Sequence, residues 1–516
     1  MPVAAQVLRH AHAHPRRAAL HGPHATLDYA TLARRAHLGA RHLTVLGASP
    51  GALVTISLPD PVDQLVAVLA ADLAGATPLL CDHTWTAERY AQITRAIPVR
   101  RHIAEPLPAG IGDIERSEIS AAEPPADLPG LPEDSACRRI DPRPAHSGHT
   151  AAGVRQSAGE DLDGGPSPLT APPFTIGGRP DDRAWANFSS GSTGRPRAVI
   201  RTRASWIDSF PHLNEIAGIG PDDVVLVPGP LVSSLYAFAA VHALAIGATA
   251  LVPGRWSPEA LPGLLRKATA VHLVPHHLPV VLDARAEVAG QLRTAIVGGA
   301  GLPDGVRAAA ERDGVRVMAY YGATELSFVA VDADGTGLRP FPGVEIDVRT
   351  PPGEPLGEVW VRSPWVSAGY AGEARGPLRV DADGWMTVGD LAEPYRAGEP
   401  LRVRGRGDAA IQTGGATVVP EDVEAVLRGV PGVTDVVVIG SPHPRLGAVV
   451  TAVIEAANPP FRAALEAAAR AGLDPAQRPR RWYAAPALPR TPTGKPARSL
   501  VASRLADGAD DLRRLV

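Results

Sequence analysis

Chemistry in this chain is concentrated in a few short segments. Phe188-Ser189-Ser190-Gly191-Ser192-Thr193-Gly194-Arg195-Pro196-Arg197 packs four hydroxyls, two glycines and two arginines into one run. Backbone N–H groups exposed by glycine can wrap phosphate oxygens, with hydroxyls as extra donors and guanidinium groups as charge. The G-x-x-x-x-G-K-[ST] spacing of a Walker loop is absent, and the same composition also suits a flexible Ser/Gly linker. Tyr320-Tyr321-Gly322-Ala323-Thr324-Glu325 follows an expected strand. It offers an aromatic face for a base, a hydroxyl for a phosphate and, in Glu325, a hard oxygen ligand for Mg²⁺; a plain strand-to-turn corner reads the same way. In Thr387-Val388-Gly389-Asp390-Leu391, Asp390 follows a glycine turn and can accept from ribose hydroxyls.

Lysine is rationed. Only Lys267 and Lys495 occur among 51 basic residues, the rest being arginine. Lys495 closes Pro489-Arg490-Thr491-Pro492-Thr493-Gly494-Lys495, whereas Lys267 sits on an ordinary helix surface. An ammonium is a compact charge on a flexible stem and can drop between oxygens of two different groups, which a planar guanidinium does less well. A solvated loop lysine is the alternative.

The elements that must position these residues follow from pattern and punctuation. The chain has 516 residues, enough for two to four domains. With 45% hydrophobic and 20% charged residues it reads as globular. A net charge of −3 without a dense basic block argues against a nucleic-acid partner. Cys81 and Cys137 lack metal-ligand spacing and suit a reducing cytoplasm. The histidines His10, His12 and His14 near the N-terminus read as a solvated helix face, and that segment lacks the apolar run of a signal peptide. Ser233 to Val252 is uncharged over about a bilayer's thickness, but Gly247 splits it into a helix and a short strand, so no membrane span is expected.

Strands are expected at 52–58, 77–80, 224–227, 250–252, 270–274, 294–297 and 315–319, with helices between, including 62–73. This alternation specifies an α/β fold with mostly parallel sheets covered by helices. Residues 106–183, rich in Pro, Gly, Ser and Asp, read as a long irregular insertion. From 357 to 403 the strands shorten into a small β-rich subdomain. After Gly405-Arg406-Gly407-Asp408 a last unit begins, with Pro420 opening a helix and strands at 433–439 and 449–455. The expected division is an N-terminal domain over 1–405 and a small mobile α+β domain over 406–516.

The order of these motifs resembles the adenylate-forming superfamily: acyl-CoA synthetases, peptide-synthetase adenylation domains and luciferase-like enzymes. The resemblance runs from about residue 15 to the end. It implies that Ser189, Ser190, Gly191, Ser192, Thr193, Gly194 and Arg197 hold the β- and γ-phosphates of ATP. Gly298, Gly299, Ala300 and Tyr321 would flank the adenine and the substrate pocket, with Ser233, Ser234, Leu235, Ala239 and Ala323 as further pocket positions. Thr324 would meet the α-phosphate, Glu325 the Mg²⁺, and Asp390 the ribose with help from Arg406. Asp408 would be the hinge, and Lys495 would bridge the substrate carboxylate and the nucleotide.

The departures carry information. Arg195 and Arg197 stand where the family usually shows lysine, and Ser233 stands where many CoA ligases carry histidine. Gly414-Gly415-Ala416 resembles the thiol-approach turn of CoA ligases, and no carrier-attachment segment follows Lys495. The implied activity is ATP-dependent activation of a carboxylic acid as acyl- or aryl-AMP, then transfer to a thiol, with CoA as the acceptor. A carrier-protein phosphopantetheine, an amine or another nucleophile is the second reading, and a non-catalytic nucleotide-binding relative the third. Lys495→Arg keeps the charge and is expected to lower pyrophosphate exchange by about 10²–10³-fold; an exchange rate near wild type would refute the special use of lysine here.

Overall fold

The computed structural model describes residues 3–109, 179–189, 197–374, 376–406, 409–413, 416–444, 446–491 and 494–515. Four sheets organise them. The largest has nine strands in the order 339–340, 327–332, 316–323, 294–298, 270–273, 224–226, 249–251, 18–21 and 26–28. Its central neighbours run parallel, while the pairs at its two ends are antiparallel. A second sheet orders 369–370, 197–202, 183–189, 77–80, 53–56 and 99–103. The third is the β-rich subdomain, built from short strands between Glu345 and Arg406.

The fourth sheet uses only residues 411–514, and its buried side chains form two clusters drawn from residues 411–515 alone. A separate core fits the expectation of a distinct C-terminal unit. Its strand Asp435–His443 and helix Pro420–Arg428 lie close to their expected positions.

Local sequence explains the helices that pack the first two sheets. Pro61 opens the helix Pro61–Leu73, and the Asp60 carboxylate accepts from Val62 N at 2.7 Å, a first-turn proline and a cap together. Twelve of its thirteen residues are buried, so it is packed on all sides rather than amphipathic. The uncharged run after Ser233 is the helix Ser234–Ala245 followed by the strand Thr249–Leu251, with Gly247 at φ +88° between them. Among the described residues no helix is long and apolar enough to cross a membrane.

One expectation needs correction. The N-terminal helix Val3–Ala13 is docked, not merely solvated: Val3, Ala4, Ala5 and Val7 are buried. His10 Nε2 lies 2.9 Å from the Ala245 carbonyl, and its ring sits against Gly247, where a Cβ would come within 2.8 Å. His12 and His14 are exposed as expected. The alternation of apolar and basic residues concealed which histidine faced inward. Cys81 is buried, and burial pushes its thiol up to about 12, so it is an inert packing residue. Cys137 and most of the 106–183 insertion lie outside the described residues.

A buried ion pair joins three of these elements. Asp72 is fully buried; its Oδ1 accepts from Arg203 Nη1 at 2.7 Å and its Oδ2 from Ala4 N at 2.9 Å. Removing the carboxylate leaves a guanidinium and an amide without compensation in the core. Asp72→Ala is therefore expected to lower unfolding free energy by about 3–5 kcal/mol, measured by denaturant titration; a loss under about 1 kcal/mol would show that the pair is not structural.

Candidate active site

Open parallel sheets bind ligands beyond the carboxyl ends of their strands, and the singled-out segments gather there. Strand Thr294–Gly298 delivers Gly298 and Gly299, and Arg316–Ala323 delivers Tyr320 to Ala323. Strands Arg183–Ser189 and Arg197–Thr202 pair antiparallel with Ser189 opposite Arg197, so they carry the hydroxyl-rich loop at their tip. Phe188 bridges to Ser233, bringing the start of the Ser234–Ala245 helix to the same place. Residues Ser190 to Gly194 and Asp408 lie outside the described residues. Arg406 is described by its backbone, opposite Asp390 in the strand pair.

The Thr324–Glu325 corner is held tightly. A Cβ on Gly322 would fall 2.1 Å from the Ser327 carbonyl oxygen, so only glycine permits this hairpin to close. Ser327 is the one non-glycine residue with positive φ among the described residues, at +62°. The Ser234 and Thr324 hydroxyls are 2.9 Å apart, which ties the helix start to the corner. Arg201, 3% exposed, donates from Nη1 to the Thr324 carbonyl at 3.0 Å and from Nη2 to Ser205 O and Trp365 O. Burial pulls its pKa down, and the Glu325 charge opposes that pull.

Glu325 is 3% exposed and accepts from the Tyr370 hydroxyl at 2.9 Å. Burial and then the Glu325 charge raise the Tyr370 pKa, so the phenol remains a donor. Among the described residues no three His, Cys, Asp or Glu side chains gather into a cation cage. A single carboxylate fits Mg²⁺ arriving with phosphates, because that ion keeps waters and takes one or two protein carboxylates. Tyr321 donates to Asp390 Oδ2 at 2.7 Å, orienting the carboxylate beside its ring. Ser189 and Ser233 are buried, with hydroxyls lacking hydrogen-bond partners among the described residues. Such groups are costly unless a ligand or water meets them.

Lys495 arrives from the C-terminal unit. Its loop is pinned: Thr491 N donates to Lys495 O at 2.7 Å and Ala497 N to Pro489 O at 2.7 Å. Arg490 donates to Glu455 at 2.7 Å, Asp435 at 3.1 Å and the Gly494 carbonyl at 3.0 Å. The ammonium reaches Gly299, where a Cβ would lie 3.1 Å from Lys495 Nζ and 3.8 Å from Leu235 Cδ1. Lys495 and Leu235 thus both approach Gly299, and Ser234 beside Leu235 links this point to the Thr324 corner.

The pocket expectations need adjustment. Ala239 is core-buried one turn beyond Leu235, and Ala300 is exposed past Gly299. Tyr320, absent from the expected pocket residues, lies across one of them, Gly298. Gly298 pairs with Tyr320 in register, and a Cβ on Gly298 would sit 2.1 Å from the ring's Cζ. The hydroxyl then reaches His272 Nε2 at 3.1 Å, one strand further on. Tyr236, in the first turn of the same helix as Leu235, has a buried hydroxyl with no partner among the described residues. Strand periodicity puts Tyr320 and His272 on one sheet face, but only the register shows that they meet. Arg201 and Tyr370 were missed because neither lies in a chemistry-rich segment.

Comparison with known proteins identifies the family. The family model described as AMP-binding enzyme matches residues 7–371, and the model of the AMP-binding enzyme C-terminal domain matches 422–495. A Bacillus subtilis protein named as an uncharacterized acyl–CoA ligase is 33% identical over 62% of this chain and 68% of its own length. A Mycobacterium marinum protein named as a fatty acid–[acyl-carrier-protein] ligase is 26% identical over 92% of both chains. The chain spans 58% of one Staphylococcus epidermidis relative named as a putative long chain fatty acid-CoA ligase. In fold it is similar to ATP-bound MatB from Rhodopseudomonas palustris, with TM-score 0.75, 21% identity, and 98% and 99% of the two chains covered. Because the first of the two family models alone matches more than half of the sequence, the chain belongs to the AMP-binding enzyme family.

Proposed function

We propose that this chain is an ATP-dependent ligase that joins a carboxylic acid to a thiol through an acyl-adenylate. The observation that carries the reading is the position of Lys495 Nζ against Gly299, next to Leu235 of the helix that Ser234 ties to the Thr324 corner. In the first step a carboxylate oxygen bonds to the α-phosphorus of ATP and the bond to the β-phosphate oxygen breaks, releasing pyrophosphate. That step brings two anions together, so a cation placed between them stabilises the transition state more than the separated reactants. Lys495 takes that role, Thr324 contacts the α-phosphate, and Glu325 holds the Mg²⁺ that neutralises the departing phosphates.

The loop from Ser189 to Arg197 holds the β- and γ-phosphates, Tyr321 stacks on the base, and Asp390 accepts from the ribose. In the second step a thiol sulfur bonds to the acyl carbon, its proton is lost, and AMP leaves. The domain division at 405/406 and the hinge at Asp408 belong to this reading: rotation withdraws Lys495 and opens a path for the thiol. CoA is the favoured acceptor, supported by the Gly414-Gly415 pair in the sequence, which lies outside the described residues, and by the name of the Bacillus subtilis relative. A carrier-protein thiol is the second reading, favoured by the Mycobacterium marinum relative that matches along nearly the whole of both chains.

The ring of Tyr320 across Gly298 fills the room behind the reacting carboxylate and points to a short acid. The test is pyrophosphate exchange into ATP across acids of graded length, followed by product analysis with CoA or a loaded carrier protein. Wild type is expected to prefer short acids. Tyr320→Ala should shift the preference toward longer or aryl acids by about tenfold or more, the range a few methylenes command in an apolar pocket. ATP binding without exchange for any acid would refute the ligase reading, and an unchanged acid preference in Tyr320→Ala would remove Tyr320 from the pocket wall.

A further inference from the structure

Two histidines meet the loop that carries Lys495. Strand Ala270–Leu273 ends next to Gly299's own strand and runs into the turn Pro275–His277. His277 is buried and stacks flat on Trp256, with ring centroids 3.6 Å apart and planes 2° from parallel. Its Nδ1 has no hydrogen-bond partner among the described residues. His276 packs edge-on against His277 at 4.1 Å and keeps part of its ring at the surface. Gly494 lies over both. A Cβ there would come 3.0 Å from His276 Nε2 and 3.3 Å from His277 Nε2, and its φ is +83°. Close approach and left-handed backbone both require glycine at this point.

We propose that His276 and His277 are positioning residues for adenylation: a rigid seat on which Gly494 lands, setting Lys495 against Gly299. This rests on the ligase reading above. Trp256 fixes His277, His277 fixes His276, and the Arg490 staple transmits the landing to the lysine's backbone. An ammonium on a flexible stem needs such a seat, because displacement of a reacting group by about 1 Å can cost about 10²-fold in rate.

The seat is also charge-sensitive. The groups facing His276 are Arg490, Asp435, Lys495, Arg428 and His277; those facing His277 are His276 and Arg490. Burial first, then Arg490, Lys495 and Arg428, hold His276 below the usual imidazole range, and Asp435 opposes them. Burial and then His276 and Arg490 do the same to His277. Arg428, Asp435, Arg490 and Lys495 all belong to the C-terminal unit, so undocking removes them together. The undocked imidazoles then take up protons more readily than the docked ones. Docking is at full strength above the ordinary imidazole pKa and weakens as pH falls below it.

The experiment uses the full chain with the acid that exchanges fastest. It measures pyrophosphate exchange and, separately, thioester formation from a synthetic acyl-adenylate, between about pH 5.5 and 8. His276→Arg puts a permanent cation in the seat and should lower the exchange kcat by about 10–100-fold while sparing thioester formation from the adenylate. His276→Gln cannot charge; it should retain most exchange at neutral pH and lose part of the wild-type decline at acid pH. Equal loss of both steps in His276→Arg, full retention of exchange, or an acid decline unchanged in His276→Gln would each overturn the seat. Absence of exchange in wild type for every acid would instead strike the ligase reading. Because His276 is part-exposed, thermal unfolding of each variant should stay near wild type, separating the seat from loss of fold.

Discussion

The proposed chemistry depends on one contact between two units, the approach of the Lys495 ammonium to Gly299. Lys495 stands on a loop whose core is separate from that of the sheets it serves, and it meets Gly299 only because two independently packed units come into register. The described groups near this meeting are tied by hydrogen bonds and close packing. The Thr324 corner is locked by Gly322, its carbonyl is held by the Arg201 fork, and the lysine loop is stapled by Arg490 to Asp435 and Glu455. In the ligase reading proposed above, the relation between the two units is the coordinate that changes between the steps. That arrangement suits a two-step reaction in which one cation is needed first and must later withdraw.

Much of this was legible in the sequence where glycine, proline and hydrophobic runs punctuate it. The strand 77–80 has the expected bounds, and the helix expected from Val62 begins one residue earlier, at Pro61, because Asp60 caps it. The strand expected at 315–319 continues to Ala323, because Tyr320 and Tyr321 are held by pairing with the following hairpin strand, which no local pattern announces. The Thr324 corner and Asp390 were singled out because hydroxyls, glycines and carboxylates cluster in runs there. Arg201, Tyr370, His272 and the histidine seat were not found: each does its work through a partner more than thirty residues away or on another element. His10 shows the opposite limit, since its neighbours suggested a wet helix face although its own ring is committed to Ala245.

The scarcity of lysine takes on physical meaning in this setting. Arginine serves wherever a flat fork can be satisfied: at Asp72, at the Thr324 carbonyl, and across Asp435 and Glu455. These are fixed, structural duties, and at the Thr324 carbonyl and across Asp435 and Glu455 one guanidinium serves more than one acceptor. In the reading proposed above, the cation that has to enter and leave the site is the one written as lysine.

The tyrosine laid across Gly298 has an evolutionary corollary. Any side chain at position 298 would collide with the ring from the neighbouring strand, so neither position is free to drift alone. In diverging relatives the two sites should be inherited as a matched pair, with bulk gained at one accompanied by bulk lost at the other. A lineage seeking a roomier chamber would find the simplest route at 320, since that change leaves the backbone of the strand beneath untouched.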